Sequence, residues 1–122
     1  MAVKRDLPEE LRQLVPLTPA VFYVLFALAD GDKHGYAVMQ ETAELSEGKF
    51  RMGPGTLYTT LQRLLDLGLI EETRPAGAGH DSRRRYYRLA GHGKSLLEAE
   101  LERMNSVVRL ARRRKLVPGM AE

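Results

Sequence analysis

From Gly53, Pro54 and Gly55 to Leu67 and Gly68 the chain has little choice but to make one short, sharply bounded helix. Proline fits the first helical position, where its missing N–H costs nothing, and glycine fits the left-handed residue that follows a last turn. Between these stops Leu57, Leu61, Leu64 and Leu65 recur at i, i+4, i+7 and i+8, one face of a 3.6-residue period. The opposite side carries Thr59, Gln62, Arg63 and Asp66, with Thr56 at the N-terminal edge and Tyr58 on the flank. A helix pinned by leucines behind and presenting hydrogen-bonding, partly cationic side chains in front has the form required to enter a DNA major groove. An ordinary surface helix with a solvated polar face has the same pattern, so what surrounds it matters.

Upstream, Asp6, Pro8 and Glu9 predict a helix start, with the helix running to about Val15 and stopping before Pro16. Thr18 and Pro19 open a second helix over residues 20–29, apolar almost all round and therefore buried. Asp30, Gly31 and Asp32 end it. Another helix begins near Lys33, His34, Gly35 and Tyr36, with apolar positions Ala37, Val38, Met39 and Leu45, and residues 46–53 form a connection anchored by Phe50. Downstream of Gly68, residues 69–74 read as a strand, residues 75–82 as a turn-rich tip, and residues 84–89 as an alternating return strand. Helices followed by a basic hairpin predict a mainly α fold: a winged helix-turn-helix with a two-stranded wing. A long helix over residues 93–115 closes the chain, its Leu97, Leu101, Met104, Val108 and Ala111 spaced by four and three like a coiled-coil seam. The expected organisation is an N-terminal extension over residues 1–16, the winged domain over 17–90 and a dimerisation helix with its tail over 91–122.

The 122 residues allow one domain, and 43% hydrophobic content permits a real core. No apolar run is long enough to span a membrane, and the first ten residues lack the apolar stretch of a secretory leader. The absence of cysteine fits a reducing compartment and predicts a cytoplasmic protein. Net charge is only +3, but it is unevenly placed. Residues 74–88 hold five arginines and one acid, and residues 103–115 hold six Lys or Arg and none. Arg83 and Arg84 beside the glycine-containing tip suit a phosphate rail or minor groove, while another of these arginines is expected to pair with Glu71 or Glu72 across the hairpin. The second basic cluster is explained at least as well by the negative end of a helix dipole. His34, His80 and His92 have no metal-ligand spacing, and no phosphate-binding loop, nucleophile elbow or acid–base pair is present, so neither metal, cofactor nor enzyme is expected.

The ordered set His34-Gly35-Tyr36, residues 54–58, Leu61-Gln62-Arg63-Leu64, Gly68-Leu69-Ile70 and residues 85–89 resembles the PadR family of bacterial transcriptional regulators, over about residues 17–101. The resemblance implies a homodimer joined through the C-terminal helix, repression of nearby genes, and in many members a small aromatic or cationic effector bound near the dimer interface. It places Tyr36, Thr56, Tyr58 and Arg63 at or near DNA. Thr59 stands where the family often has proline, which alters the groove face. Ala90 stands where it often has a capping threonine, so the last helix is expected to start at Gly91 or His92. There is no tryptophan on which to stack a planar drug.

The expected partners are thus a pseudo-palindromic duplex operator, a second copy of the chain and a small effector. The DNA contacts would be Tyr36, Thr56, Tyr58, Thr59, Gln62, Arg63, Arg83 and Arg84, and the dimer seam Leu97, Leu101, Met104 and Val108. The alternative is a winged-helix module that binds protein and no DNA.

Overall fold

The computed structural model describes residues 7–74 and 84–117. Its elements are α1 (Glu9–Arg12), α2 (Pro19–Ala27), β1 (Lys33–His34), α3 (Gly35–Leu45), α4 (Pro54–Asp66), β2 (Ile70–Thr73), β3 (Tyr86–Leu89) and α5 (Gly91–Arg113).

The first helix is shorter than expected. Pro8 precedes α1 in an extended conformation, and after Arg12 only turn-like bonds continue the chain. Leu7 and Leu11 are nonetheless buried in the same cluster as the remaining helices. α2 starts as its sequence dictates: the Thr18 hydroxyl accepts from the Val21 N–H at 3.3 Å, and Pro19 follows. Val21, Phe22, Val24, Leu25 and Ala27 are all buried, so α2 is the axis of the core. Tyr23 stacks on Phe50 at 5.7 Å, which ties the connection after α3 to this axis.

Both α3 and α4 end in the same hydrogen-bonded device. After α3, Glu47 takes a positive φ of 56° and the Gly48 N–H reaches the Ala43 carbonyl at 2.7 Å. After α4, Gly68 takes φ 73° and the Leu69 N–H reaches the Leu64 carbonyl at 2.9 Å. This left-handed residue satisfies the last carbonyls and redirects the chain into β2.

The wing is part of a three-stranded antiparallel sheet rather than a two-stranded one, in the order β1-β3-β2. The extra strand is the two-residue segment before α3, with Lys33 opposite Tyr87 and His34 opposite Tyr86. On the other side Ile70, Glu71, Glu72 and Thr73 face Leu89, Arg88, Tyr87 and Tyr86. The alternation expected for the return strand holds where it matters: Tyr87 is buried and Arg88 is exposed. The glycine-containing tip and Arg83 lie outside the described residues.

α5 begins at Gly91 behind Ala90, whose side chain makes no cap. The helix is held by its backbone instead: the Ala90 N–H donates to the Leu69 carbonyl at 3.0 Å. Gly93 presses on the same carbonyl, and a β-carbon there would fall 2.0 Å from that oxygen. Further along, Glu100 is only 1% exposed, yet it is fully partnered. It accepts from the Leu17 backbone N–H at 3.0 Å and from Arg103 Nε at 2.6 Å and Nη2 at 3.2 Å.

Candidate nucleic-acid interface

α4 divides as its periodicity requires. Leu57, Leu61 and Leu64 are buried and Leu65 packs against the core. Burial of each leucine contributes roughly 1.5–3 kcal/mol to holding the helix in place. Thr56, Tyr58, Thr59, Gln62, Arg63 and Asp66 are exposed on the other side. The Gln62 amide donates to Asp66 Oδ1 at 2.9 Å, which fixes the amide and leaves its carbonyl for another donor. Gly53 precedes α4 with no side-chain cap, so the first turn offers backbone N–H groups near Thr56. Arg63 is exposed but lies toward the N-terminal segment, lining a shallow cleft with Gln13, Leu14, Leu17 and Leu67.

A second part of the surface is built where α3, α4 and the wing meet. Tyr36 and Tyr58 are 53% and 52% exposed, unusual for large aromatic side chains in a chain with so complete a core. Tyr58 rests against the start of α3: a β-carbon on Gly35 would come within 2.6 Å of its hydroxyl, so a larger residue there would push the tyrosine ring aside. The Gln40 amide donates to the Tyr36 hydroxyl at 3.3 Å. His34, Gly35, Tyr36, Tyr58, Arg84 and Arg85 surround a cleft of about 420 Å³. Arg84 reaches the His34 ring, with Nη1 at 2.7 Å from Nε2.

Two further wing arginines are paired across the hairpin where one was expected, Arg85 with Glu72 at 3.5 Å and Arg88 with Glu71 at 3.4 Å. Both pairs are exposed, so they add little stability and can be exchanged for other anions. At the other end of the short strand β1, Lys33 donates to the Ala27 carbonyl at 2.7 Å and pairs with Asp30 and, at 3.4 Å, with Glu41. Lys33 therefore locks the end of α2 to α3.

Sequence reasoning named Tyr36, Thr56, Tyr58, Thr59, Gln62, Arg63 and Arg84, and all are exposed on this side of α4 or around the cleft. It missed His34, which has a place in the cleft. Its signal was available: a residue with a side-chain acceptor directly before a helix start. Among the seam residues, Leu97 requires correction. It is 4% exposed and belongs to the chain's own core, because the first turns of α5 pack on α2 and the sheet. Met104 also packs partly on the core, whereas Leu101 and Val108 are exposed, as are Val107 and Leu110.

Among the described residues no cluster of His, Asp or Glu could hold a metal ion, and no helix is long and apolar enough to cross a membrane. A family model described as the transcriptional regulator PadR-like family matches residues 24–99. An uncharacterised 37.1 kDa protein in transposon Tn4556 of Streptomyces fradiae is 39% identical over 85 residues, 70% of this chain but only 23% of that protein. Transcriptional regulator Rv3488 of Mycobacterium tuberculosis is 33% identical over 87 residues, covering 71% of this chain and 77% of that one. Bacillus subtilis PadR, solved in complex with operator DNA, shares the fold with a TM-score of 0.55 at 23% identity, over 66% of this chain and 45% of that one. The matched span includes β1, α3, α4 and the whole sheet, the elements that build the surface described above. The chain belongs to the PadR-like family of transcriptional regulators and is not an enzyme.

Proposed function

We propose that this regulator binds duplex DNA sequence-specifically as a homodimer, in the cytoplasm, and represses transcription until a small effector releases it. One observation carries the DNA reading: α4 exposes Thr59, Gln62 and Arg63 while its leucines are buried, and the Arg84 cleft stands beside it. Arg63 and Gln62 would read base edges, Thr56 would meet a phosphate at the open start of α4, and Tyr36, Tyr58, Arg83 and Arg84 would grip the backbone. The solved DNA complex of Bacillus subtilis PadR supports this use of the fold.

The second half of α5 supports the dimer. Leu101 and Val108, seven residues apart, are exposed on one side of the second half of α5, and Val107 and Leu110 are exposed on another, and this much exposed apolar surface on one helix calls for a partner surface. Two-fold symmetry then sets two half-sites about 10 base pairs apart, or a multiple of that. An effector has room in a cleft of about 460 Å³ between the end of α2, β3 and the first turns of α5, lined by Asp32, Arg88, Lys94, Leu97 and Glu98.

Binding of labelled duplexes selected from random sequence, measured across salt concentrations, tests the proposal. A regulator touching Z phosphates gives a log–log slope near −0.9Z. A protein-interaction module would show no duplex binding even at low salt.

A further inference from the structure

Gln62 and Asp66 lie one turn apart on the exposed face of α4, and the Gln62 amide nitrogen donates to Asp66 Oδ1 at 2.9 Å. A carboxylate only accepts, so the nitrogen end of the amide is the end that faces it. Turning the amide over would set the Gln62 carbonyl oxygen against a charged oxygen. Arg63, three residues before Asp66, lies instead toward Gln13, Leu14 and Leu17. Asp66 is a costly choice for this place. It sits in the last turn of α4, where the helix dipole disfavours an anion, and on the face that the DNA-binding proposal turns toward phosphates. An exposed pair of this kind adds little to helix stability.

A glutamine that turns freely is an ambiguous reader, because its amide carries an acceptor at one end and donors at the other. In the major groove, adenine and cytosine offer an amino donor, N6 or N4, whereas guanine offers only the acceptors O6 and N7, and thymine the acceptor O4. A free amide meets either set by rotating. The pinned amide of Gln62 does not: its carbonyl points away from Asp66 and requires a donor. Its second N–H stays available. Adenine takes that N–H on N7 while its N6 amine donates to the carbonyl. Against guanine the same carbonyl meets another acceptor.

We infer that Asp66 is a positioning residue for base selection: it holds the Gln62 carbonyl toward the groove, so that α4 accepts adenine or cytosine at one base pair and rejects guanine and thymine. The inference rests on the DNA-binding proposal and adds a base class to it. Asp66 acts through Gln62 and needs no base contact of its own. It selects by penalising the wrong orientation of the amide rather than by adding an attraction. The same carboxylate repels phosphates, so it lowers affinity for every duplex while sharpening the choice among them.

The test is fluorescence anisotropy with a fluorescein-labelled duplex that the wild-type protein selects from random sequence, and with duplexes in which each base pair is replaced in turn by every alternative. Gln62→Ala marks the position that Gln62 reads. There the wild type is expected to favour adenine or cytosine over guanine or thymine by about tenfold. Asp66→Ala is expected to raise affinity for all duplexes together and to remove most of that preference. Asp66→Asn, whose amide presents either end to Gln62, is expected to do the same with the shape of the side chain kept. In the Gln62→Ala background, Asp66→Ala is expected to leave base preference unchanged, because the group it positions is gone. Both side chains are exposed, so all these variants are expected to melt close to the wild type. A preference for guanine or thymine at the marked position, no position marked by Gln62→Ala, or Asp66 variants that keep every preference while shifting all affinities equally would overturn the role of Asp66 and leave DNA binding intact. A wild-type protein that binds no duplex at low salt would remove both.

Discussion

Replacing Glu100 by glutamine isolates the charge that joins the N-terminal segment to α5. The carboxylate is buried and accepts three hydrogen bonds, one from the Leu17 N–H and two from Arg103. A glutamine of nearly the same shape keeps one acceptor oxygen, but turns an NH₂ group toward a donor on its other side. At least one hydrogen bond to a charged partner is lost, worth about 1.5–3 kcal/mol. Breaking a buried pair outright costs about 3–5 kcal/mol. Arg103 is itself 40% exposed and can be rehydrated, so about 2–3 kcal/mol is expected.

At roughly 3–6 °C per kcal/mol for a domain of this size, thermal unfolding at fixed protein concentration should fall by about 6–18 °C. The pH dependence gives an independent reading. Burial pushes the Glu100 carboxyl up, but the Arg103 hydrogen bonds, the Leu17 N–H and the Arg103 charge together hold it below the ordinary carboxylate value. A depressed folded value means that Glu100 stabilises the fold above the ordinary carboxylate value. That contribution declines as pH falls through the interval between the unfolded and folded values. Urea titrations at neutral and acidic pH should therefore show wild-type stability falling toward that interval, and the difference from Glu100→Gln shrinking with it. A variant within about 0.5 kcal/mol of wild type at neutral pH would refute the assigned role of Glu100.

Gly93→Ala should destabilise by about 1–3 kcal/mol in urea unfolding, because its β-carbon meets a backbone oxygen that cannot rotate away; a stabilised variant would mean that α5 docks differently. Arg63→Ala should weaken specific DNA binding by about 1–3 kcal/mol and relax preference at one position, and an equal loss on random duplex would assign Arg63 to a phosphate instead. Leu101→Asp combined with Val108→Asp should give monomers in sedimentation without unfolding, since both positions are exposed in the single chain; persisting dimers would place the interface elsewhere.

Helix α4 was legible because its signals are local and dense: Pro54 and Gly68 bound it, and four leucines set its face. That a wing arginine would pair with Glu71 or Glu72 was legible from opposite charges on two neighbouring antiparallel strands. β1 was not. Two residues carry no periodicity, and Lys33 and His34 are a strand only because β3 offers them an edge. The α5 stripe showed the limit of periodicity in another way. Spacing identifies an apolar face but not what covers it, and the chain itself covers Leu97 while leaving Leu101 and Val108 exposed. Glu100 was invisible because its backbone partner, Leu17, is 83 positions away. His34 was passed over as a metal ligand, although residues before helix starts repay inspection as caps.

The proposed placement of α4 in the groove is tested most directly by photocross-linking. The chain has no cysteine, so Thr59→Cys carrying an azide-bearing label gives a single reactive site in the middle of the exposed face. With a selected duplex at modest salt, the label is predicted to attach to bases accessible from the major groove. The same label at Glu44→Cys, exposed near the end of α3, serves as the comparison and should give weak cross-linking or none. Equal yields from both positions, or none from Thr59→Cys while the duplex remains bound, would contradict the assignment of α4 as the DNA-reading helix.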